Sequence, residues 1–322
     1  MIQTQPPPAV DAIVAASRGI DRVFADTPLI EQASANAALG CRLLAKVETL
    51  NPIRSFKGRG ADWLMANLHG DAPVVCASAG NFGQGLAYAA RTRGRTAIVF
   101  AATTANPLKI DAMRRLGADV RLAGDDFDAA KAAARSFAEA SGLEYVEDGA
   151  RTAIAEGAGT IALEMTRTLE ARGIGLDAVV VPLGNGALLT GVGTWIKARA
   201  PSCRVIGVVA AAAPSMRMSW QAGRMLPTSS AATIADGIAV REPVAYALEC
   251  MKTTVDDVWA VEETSLVSAI RFCHRHYGLV VEPAGAAGVA ALLEHSETLA
   301  GRTVGTILCG GNLAPGVISF DA

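Results

Sequence analysis

A lysine with unusual neighbours lies in a loop between a strand-like run and a helix-like run. Lys57 follows Phe56, and Arg54 and Arg59 stand close to it in the chain. Desolvation and nearby positive charge favour the neutral form of an amine, which is the nucleophile that Schiff-base chemistry requires. The start of a helix also attracts anions. The position is therefore a candidate for such chemistry beside an anion, and a solvated surface lysine is the alternative that the local sequence leaves open.

A second loop, residues 76–85, again links the end of an apolar run to the start of a helix-like run. Its small residues allow a ligand to approach the backbone, and Ser78 and Asn81 add polar side chains. Free N–H groups at such a turn suit a carboxylate or a phosphate. The segment is a candidate anion site, although a turn in which Ser78 or Asn81 only caps the helix fits the same residues.

A third loop, residues 182–188, carries the glycines Gly184 and Gly186. A dinucleotide site would need a third glycine where Leu189 stands, and an acidic residue where residues 210–213 are all alanine. No glycine-rich loop is followed by the lysine and hydroxyl residue of a nucleoside-triphosphate site. The loop therefore predicts a phosphate site that needs only backbone N–H groups.

A fourth turn, residues 309–312, ends the last apolar strand-like run. Because ligands gather at the carboxyl ends of strands in a parallel sheet, we expect Cys309 to face the same crevice as the other three loops. A buried cysteine before a tight glycine turn is the alternative.

The elements that must position these loops alternate along the chain. From residue 40 onward, short β-branched runs alternate with longer Ala-rich runs, which indicates βαβ units and a mostly parallel sheet of the α/β class. We predict strands at residues 42–47, 73–76, 96–100, 119–122, 178–182, 205–209, 258–261 and 304–308. We predict helices at residues 59–67, 83–93, 107–116, 127–141, 153–170, 188–199, 264–277 and 284–295.

The stretch from residue 70 to 148 forms a compact run of strand-then-helix units that closes in the polar turn 147–149. We predict that residues 70–148 form a small α/β domain. The large domain would then consist of residues 1–69 and 149–322, on both sides of the small one.

The composition limits the classes of partner. Of the 322 residues, 29 are basic and 31 are acidic, which gives a net charge of −2 and no footprint for nucleic acid or an anionic membrane. No apolar stretch reaches the ~18 residues of a membrane span, and the N-terminus carries no secretory signal. We therefore expect a soluble, cytoplasmic protein whose partners are small molecules.

The cysteines and histidines do not indicate a metal site. The six cysteines lie far apart without a CxxC pair, so we expect them to be reduced and mostly structural. His274 and His276 are two residues apart and would point to different faces of a helix.

Together the four loops resemble the fold type II pyridoxal-phosphate enzymes, which include threonine and serine dehydratases, serine racemase and, more distantly, threonine synthase and cysteine synthase. The similarity runs through nearly the whole chain. Its anchors are residues 27–29, 55–61, 78–81, 157–160, 184–188, 233–237, 282–286 and 309–312. The resemblance implies a two-lobed, tryptophan synthase β-like fold with mostly parallel sheets and helices on both faces, and a homodimer whose large domain binds the cofactor.

The resemblance also implies a role for each matching position. Lys57 would bind pyridoxal 5'-phosphate covalently and then remove the α-proton of the substrate as a general base. Cofactor binding would fall to Phe56, Lys57, Asn81, Gly184, Asn185, Gly186, Ala187, Leu188 and Cys309. Substrate binding would fall to Ser78, Ala79, Gly80, Asn81 and Phe82. No metal is implied, because residues 212–219 lack the acid with which several relatives bind a divalent cation.

Two of these positions bear on the reaction. Cys309 would face the pyridine nitrogen, and a neutral thiol cannot keep that nitrogen protonated, which favours prompt β-elimination. Ala79 fills the slot in which racemases of this fold carry a second acid/base serine, and alanine cannot carry a proton. We therefore expect a lyase that converts a small 3-hydroxy L-amino acid, such as threonine or serine, to a 2-oxo acid and ammonia.

Three alternatives stay open at this point. The substrate could be a bulkier 3-hydroxy amino acid such as phenylserine or hydroxyaspartate. The reaction could be a β-replacement of the cysteine synthase type, in which an external nucleophile takes the place of the leaving group. A non-catalytic protein that kept the cofactor pocket is the third alternative.

Overall fold

The computed structural model describes residues 5–319, and these residues contain two β-sheets. The strands are β1 (Leu29–Glu31), β2 (Arg42–Val47), β3 (Val74–Ala77), β4 (Ala97–Ala101), β5 (Asp119–Leu122), β6 (Glu144–Tyr145), β7 (Ala178–Pro182), β8 (Arg204–Ala210), β9 (Asp257–Val261) and β10 (Thr303–Leu308). One sheet has the order β1-β2-β10-β7-β8-β9, in which only β1 pairs antiparallel to its neighbour. The other has the order β5-β4-β3-β6 and is entirely parallel.

Helices connect the strands and cover the sheets. They are α1 (Val10–Gly19), α2 (Ala33–Leu39), α3 (Lys57–Asn67), α4 (Asn81–Thr92), α5 (Pro107–Arg115), α6 (Phe127–Ser141), α7 (Thr152–Ala171), α8 (Ala187–Arg199), α9 (Ser215–Ala222), α10 (Ala245–Thr254), α11 (Glu263–Tyr277) and α12 (Pro283–Glu294). Short 3-10 turns lie at Arg22–Phe24, Asp236–Ile238 and Ser296–Leu299. None of the helices within residues 5–319 combines the length and the apolarity that crossing a bilayer requires.

Both sheets bury side chains on both faces, as the two-residue period of a strand allows. In β7, Ala178 and Val180 pack into a core shared with α11 and α12, whereas Val179 and Val181 pack into a core shared with α7 and α8. The smaller sheet is covered by α4 on one face and by α6 on the other. Because the faces are covered, ligands can reach the sheets only at the ends of the strands, and in parallel sheets they bind at the carboxyl ends.

The predicted α/β class is confirmed, and each predicted strand and helix is present with ends within two residues of the prediction. The elements that the sequence pattern missed are β1, β6, α1, α2, α9 and α10. Most of these are short, with two or three residues in the strands and seven or eight in α2 and α9. Helices of that length are marginal alone and depend on tertiary contacts. The domain boundaries at residues 69/70 and 148/149 stay a prediction.

A buried ion network anchors the start of α3. The guanidinium of Arg59, which is fully buried, donates to Glu48 Oε2 at 2.8 Å, to Glu164 Oε1 at 2.6 Å and to Thr160 Oγ1 at 2.9 Å. Lys46 donates to Glu164 Oε2 at 2.6 Å. Burial acts to raise the pKa of Glu164, but hydrogen bonds and charge from Arg59 and Lys46 outweigh it and hold that pKa at about 2. The network ties α3 to β2 and to α7.

Replacing Arg59 by leucine tests the importance of this network. The change leaves the carboxylates of Glu48 and Glu164 buried without their guanidinium partner, a defect that costs about 3–5 kcal/mol in comparable buried pairs. We expect Arg59→Leu to lower the free energy of unfolding by that amount in urea titrations. The control is Arg42→Leu, because Arg42 pairs with Glu31 at the surface and should matter much less. Equal losses in the two variants would contradict a central role for Arg59.

Candidate active site

A cavity of about 520 Å³ opens where loops at the carboxyl ends of the two sheets meet. Most of the predicted site residues line it, namely Phe56, Lys57, Ser78, Ala79, Gly80, Asn81, Phe82, Asn185 and Cys309. The structure thus brings the four loops singled out in the sequence to one crevice. The remaining predicted residues are not among the lining residues and lie beside Asn185, with Gly184 and Gly186 in the same turn and Ala187 and Leu188 at the start of α8.

Lys57 is the first residue of α3 and points its amine into the cavity. Its Nζ donates to Asp148 Oδ2 at 2.5 Å and lies 4.8 Å from the centroid of the Phe56 ring. The expectation of a positive neighbour at Arg59 is wrong, because Arg59 is turned into the buried network with Glu48 and Glu164. The direct charged neighbour of the Lys57 amine is a carboxylate.

Backbone hydrogen bonds fasten the lysine loop to the turn at Cys309. The N–H of Phe56 donates to the carbonyl of Cys309 at 3.0 Å, and the N–H of Gly311 donates to the carbonyl of Arg54 at 2.9 Å. An isolated β-bridge between Ser55 and Gly310 lies between these two bonds. The position of Lys57 relative to the last strand is therefore set by the main chain.

Cys309 is one of the residues that line the cavity. It is 5% exposed, and its thiol donates to the carbonyl oxygen of Ala284 at 3.6 Å. Burial, reinforced by the nearby carboxyl of Glu282, raises the pKa of this thiol well above its usual range. Cys309 therefore presents a neutral thiol to the cavity.

Asn81, the first residue of α4, is oriented by two side chains. Its Nδ2 donates to Glu282 Oε1 at 2.7 Å, and its Oδ1 accepts from Asn312 Nδ2 at 2.8 Å. The other oxygen of Glu282, Oε2, is buried and has no hydrogen-bond partner within residues 5–319. Burial, with a smaller contribution from the charge of Asp236, raises the pKa of Glu282 to about 7. One N–H of the Asn81 amide remains available to a ligand.

Ser78 does cap its helix turn. Its Oγ accepts from the N–H groups of Gly80, at 3.2 Å, and Gly83, at 3.0 Å. Accepting these bonds leaves the hydroxyl hydrogen free to donate to an anion. The two interpretations of this loop, a helix cap and an anion site, are therefore compatible.

The turn before α8 requires glycine at two positions. Gly186 has φ +99°, and a Cβ added there would lie 2.3 Å from the Cβ of Ala247. A Cβ added at Gly184 would lie 2.8 Å from the carbonyl oxygen of Gly237. The N-cap residue of α8, Gly186, has no side chain, and the contact at this helix start is a long one, in which Asn185 Oδ1 accepts from the N–H of Ala187 at 3.4 Å. The turn thus suits an anion held by backbone N–H groups at a helix N-terminus.

The sequence patterns did not reveal Asp148 and Glu282 as site residues. Asp148 follows β6, whose two residues give no strand signal, so no predicted strand end pointed to it. Glu282 was recognised only as part of an anchor motif. Among residues 5–319 no group of three or more His, Cys, Asp or Glu side chains is arranged to hold a metal ion.

Comparison with known proteins gives a consistent result. A protein-family model described as "Pyridoxal-phosphate dependent enzyme" matches residues 20–310. The L-threonine ammonia-lyase of Geobacter sulfurreducens is 37% identical over 297 residues, which cover 91% of this chain and 73% of that protein. The crystal structure of a threonine deaminase from T.th. has a TM-score of 0.91 at 33% identity and covers 95% of this chain and 99% of its own. A maize serine racemase has a TM-score of 0.89 at 26% identity, covering 97% and 95%.

The raised pKa of Glu282 predicts a pH-dependent stability. The unfolded chain releases this proton near pH 4.5, whereas the folded protein holds it to about pH 7, so the carboxyl lowers the free energy of unfolding as pH rises between these values. The decline is at most about 3 kcal/mol for a shift of this size. Glu282→Gln should remove it, so the stability of the variant relative to wild type should increase from pH 5 to pH 7.

Chemical denaturation of both proteins without added ligand, at several pH values, measures this difference. Glu297→Gln at an exposed position controls for the change from acid to amide. A stability difference that stays constant with pH for Glu282→Gln would contradict the assignment of a buried, protonated Glu282.

Proposed function

Because the chain belongs to the family of pyridoxal-phosphate-dependent enzymes, we propose that its principal substrate is L-threonine, which it converts to 2-oxobutyrate and ammonia. It is a fold type II enzyme and a lyase of the threonine ammonia-lyase type. The observation that carries the proposal is the meeting, in one cavity, of the Lys57 amine with the turn at Asn185 and the turn at Asn81. We assign the cofactor aldehyde to the first of these, the cofactor phosphate to the second and the substrate carboxylate to the third.

The residues of the cavity fit pyridoxal 5'-phosphate. The Lys57 amine can take up the aldehyde, while the backbone N–H groups at the start of α8 and the glycines of residues 184–188 can hold the phosphate. Phe56 would pack beside the ring, and Asn81 would reach the ring hydroxyl with its remaining N–H. When bound, the cofactor supplies an electron sink that makes the α-proton of an amino acid acidic.

The loop at residues 78–82 would hold the substrate carboxylate. Support comes from the Ser78 hydroxyl, which can still donate, and from the N–H groups of Asn81 and Phe82 in the first turn of α4, ahead of the Gly83 N–H that Ser78 accepts. Glu282 and Asn312 fix the amide of Asn81, so this part of the site is oriented before a ligand arrives. With the carboxylate held, Lys57 can remove the α-proton as general base.

Elimination, not racemisation, is the favoured outcome of removing that proton. Ala79 lines the cavity and offers no group that could return a proton to the opposite face of the α-carbon. The neutral thiol of Cys309 cannot hold a proton on the ring nitrogen, so loss of the β-hydroxyl competes well with long-lived charge on the α-carbon. Both features support a dehydratase, even though the fold is shared with racemases.

Threonine is favoured over bulkier substrates because the names of similar proteins specify threonine. Phenylserine and hydroxyaspartate are the competing substrates, and a comparison of kcat/KM for each of them with kcat/KM for threonine identifies the preferred substrate.

β-Replacement of the cysteine synthase type is tested by adding a thiol to the assay. A new amino acid formed in place of ammonia would favour replacement over elimination.

Residues 70–148 would form the small domain that carries the substrate loop, and residues 1–69 and 149–322 would form the large cofactor-binding domain.

A reducing compartment such as the cytoplasm is supported by the six cysteines, all of which are buried and free. The homodimer is proposed from the resemblance alone, and sedimentation analysis of the purified protein tests it.

Lys57→Ala should abolish both colour and turnover. Purified wild-type protein incubated with pyridoxal phosphate and dialysed should be yellow and should release 2-oxobutyrate and ammonia from L-threonine. The variant lacks the amine that binds the cofactor and removes the α-proton, so it should remain colourless and inactive.

Lys131→Ala is the matched control, because Lys131 lines the same cavity but pairs with Glu147 at 2.5 Å. It should bind the cofactor and stay yellow. A colourless wild-type protein, or a yellow and active Lys57→Ala protein, would contradict the proposed function. Absence of turnover on any 3-hydroxy amino acid by a yellow protein would favour the non-catalytic alternative.

A further inference from the structure

Cofactor binding gives a role to Lys57 but none to Asp148, the acid that contacts the Lys57 amine. Asp148 Oδ2 lies 2.5 Å from Lys57 Nζ, and both side chains are largely buried, with 14% and 12% of their surface exposed. The second oxygen, Oδ1, is buried and has no hydrogen-bond partner in the described part of the chain. A buried carboxylate with an unused oxygen is costly unless something binds there.

The position of Asp148 is fixed by its own turn. Gly149 has φ +83°, and a Cβ added there would lie 2.6 Å from the carbonyl oxygen of Asn185. The turn therefore packs directly on the proposed phosphate loop, and Asp148 lines the same cavity as Lys57. The neighbouring acid, Glu147, is already paired with Lys131 at 2.5 Å and with Arg135 at 2.8 Å. Asp148 is thus the acid of this turn that is positioned to act on a ligand.

Elimination of a β-hydroxyl needs an acid as well as a base. Hydroxide is a poor leaving group, so the departing oxygen must receive a proton as the carbon–oxygen bond breaks. Lys57 must approach the α-carbon to remove its proton, and the β-oxygen is only two bonds away from that carbon. A carboxyl in contact with the Lys57 amine is therefore within reach of the leaving oxygen.

We infer that Lys57 and Asp148 form a proton relay from the α-carbon to the leaving β-hydroxyl, a role that rests on the proposed elimination. Lys57 takes the α-proton and becomes an ammonium, which passes one proton to Asp148. The carboxylic acid of Asp148 gives that proton to the β-oxygen. The electron pair of the carbon–hydrogen bond forms the carbon–carbon double bond, and the pair of the carbon–oxygen bond leaves with water. Lys57 returns to a neutral amine and Asp148 to a carboxylate.

A comparison of two leaving groups tests this role in the cofactor-loaded enzyme. L-Serine loses a hydroxyl that needs a proton, whereas β-chloro-L-alanine, of similar size, loses chloride that does not. Asp148→Asn keeps the shape of the side chain but removes its acidity. We expect it to lower kcat for L-serine by about 100-fold or more, the usual contribution of a general acid, and to lower kcat for β-chloro-L-alanine far less.

Glu147→Gln makes the same chemical change one residue earlier and should alter both rates by the same factor. Visible absorbance after dialysis reports cofactor loading, which should be the same in Asp148→Asn as in wild type. Equal losses on the two substrates, an unchanged rate on serine, or failure of Asp148→Asn to retain the cofactor would each overturn the relay. If loaded wild-type enzyme eliminated neither substrate, the proposed function would be wrong instead.

Discussion

The buried guanidinium of Arg59 is the interaction on which the geometry of the site depends. It lies two residues after Lys57, on the first turn of α3, and its bonds to Glu48 and Glu164 join that turn to the end of β2 and to α7. Desolvating these charges is expensive, so the network is stable only when every partner is in place. A shift of α3 would break this network. The network therefore holds the start of the helix, and with it Lys57, in place.

A second set of constraints completes the cavity around that lysine. Main-chain bonds between the lysine loop and the Cys309 turn fix one wall, and the chain of amide and carboxyl groups from Asn312 through Asn81 to Glu282 fixes another. These contacts join loops that follow β2, β3 and β10 to one another and to Glu282 at the start of α12. The polar groups are thus oriented before any ligand binds, which reduces the reorganisation that binding and proton transfer require.

The elements and the four loops follow from sequence because their signals are local. The apolar run of β7 predicts a strand buried on both faces, and the Phe56–Lys57 loop was identified from its own composition. The polar contacts between residues far apart in sequence were not predictable in this way. Lys57 and Asp148 are 91 residues apart in sequence, and Asn81 and Glu282 are 201 apart. Such pairings depend on how the two sheets meet, which no local pattern encodes. For the same reason Arg59, although close to Lys57 in sequence, faces the buried network and not the cavity.

Lys57, and no other lysine, is expected to bind the cofactor. Reduction of the pyridoxal-phosphate-loaded protein with borohydride makes the lysine–cofactor bond permanent, and peptide mass spectrometry then locates it. We expect a phosphopyridoxyl group on the peptide that contains Lys57 and on no other peptide in stoichiometric amount. A stoichiometric label on another lysine of the cavity, Lys109 or Lys131, with Lys57 unmodified, would contradict this assignment.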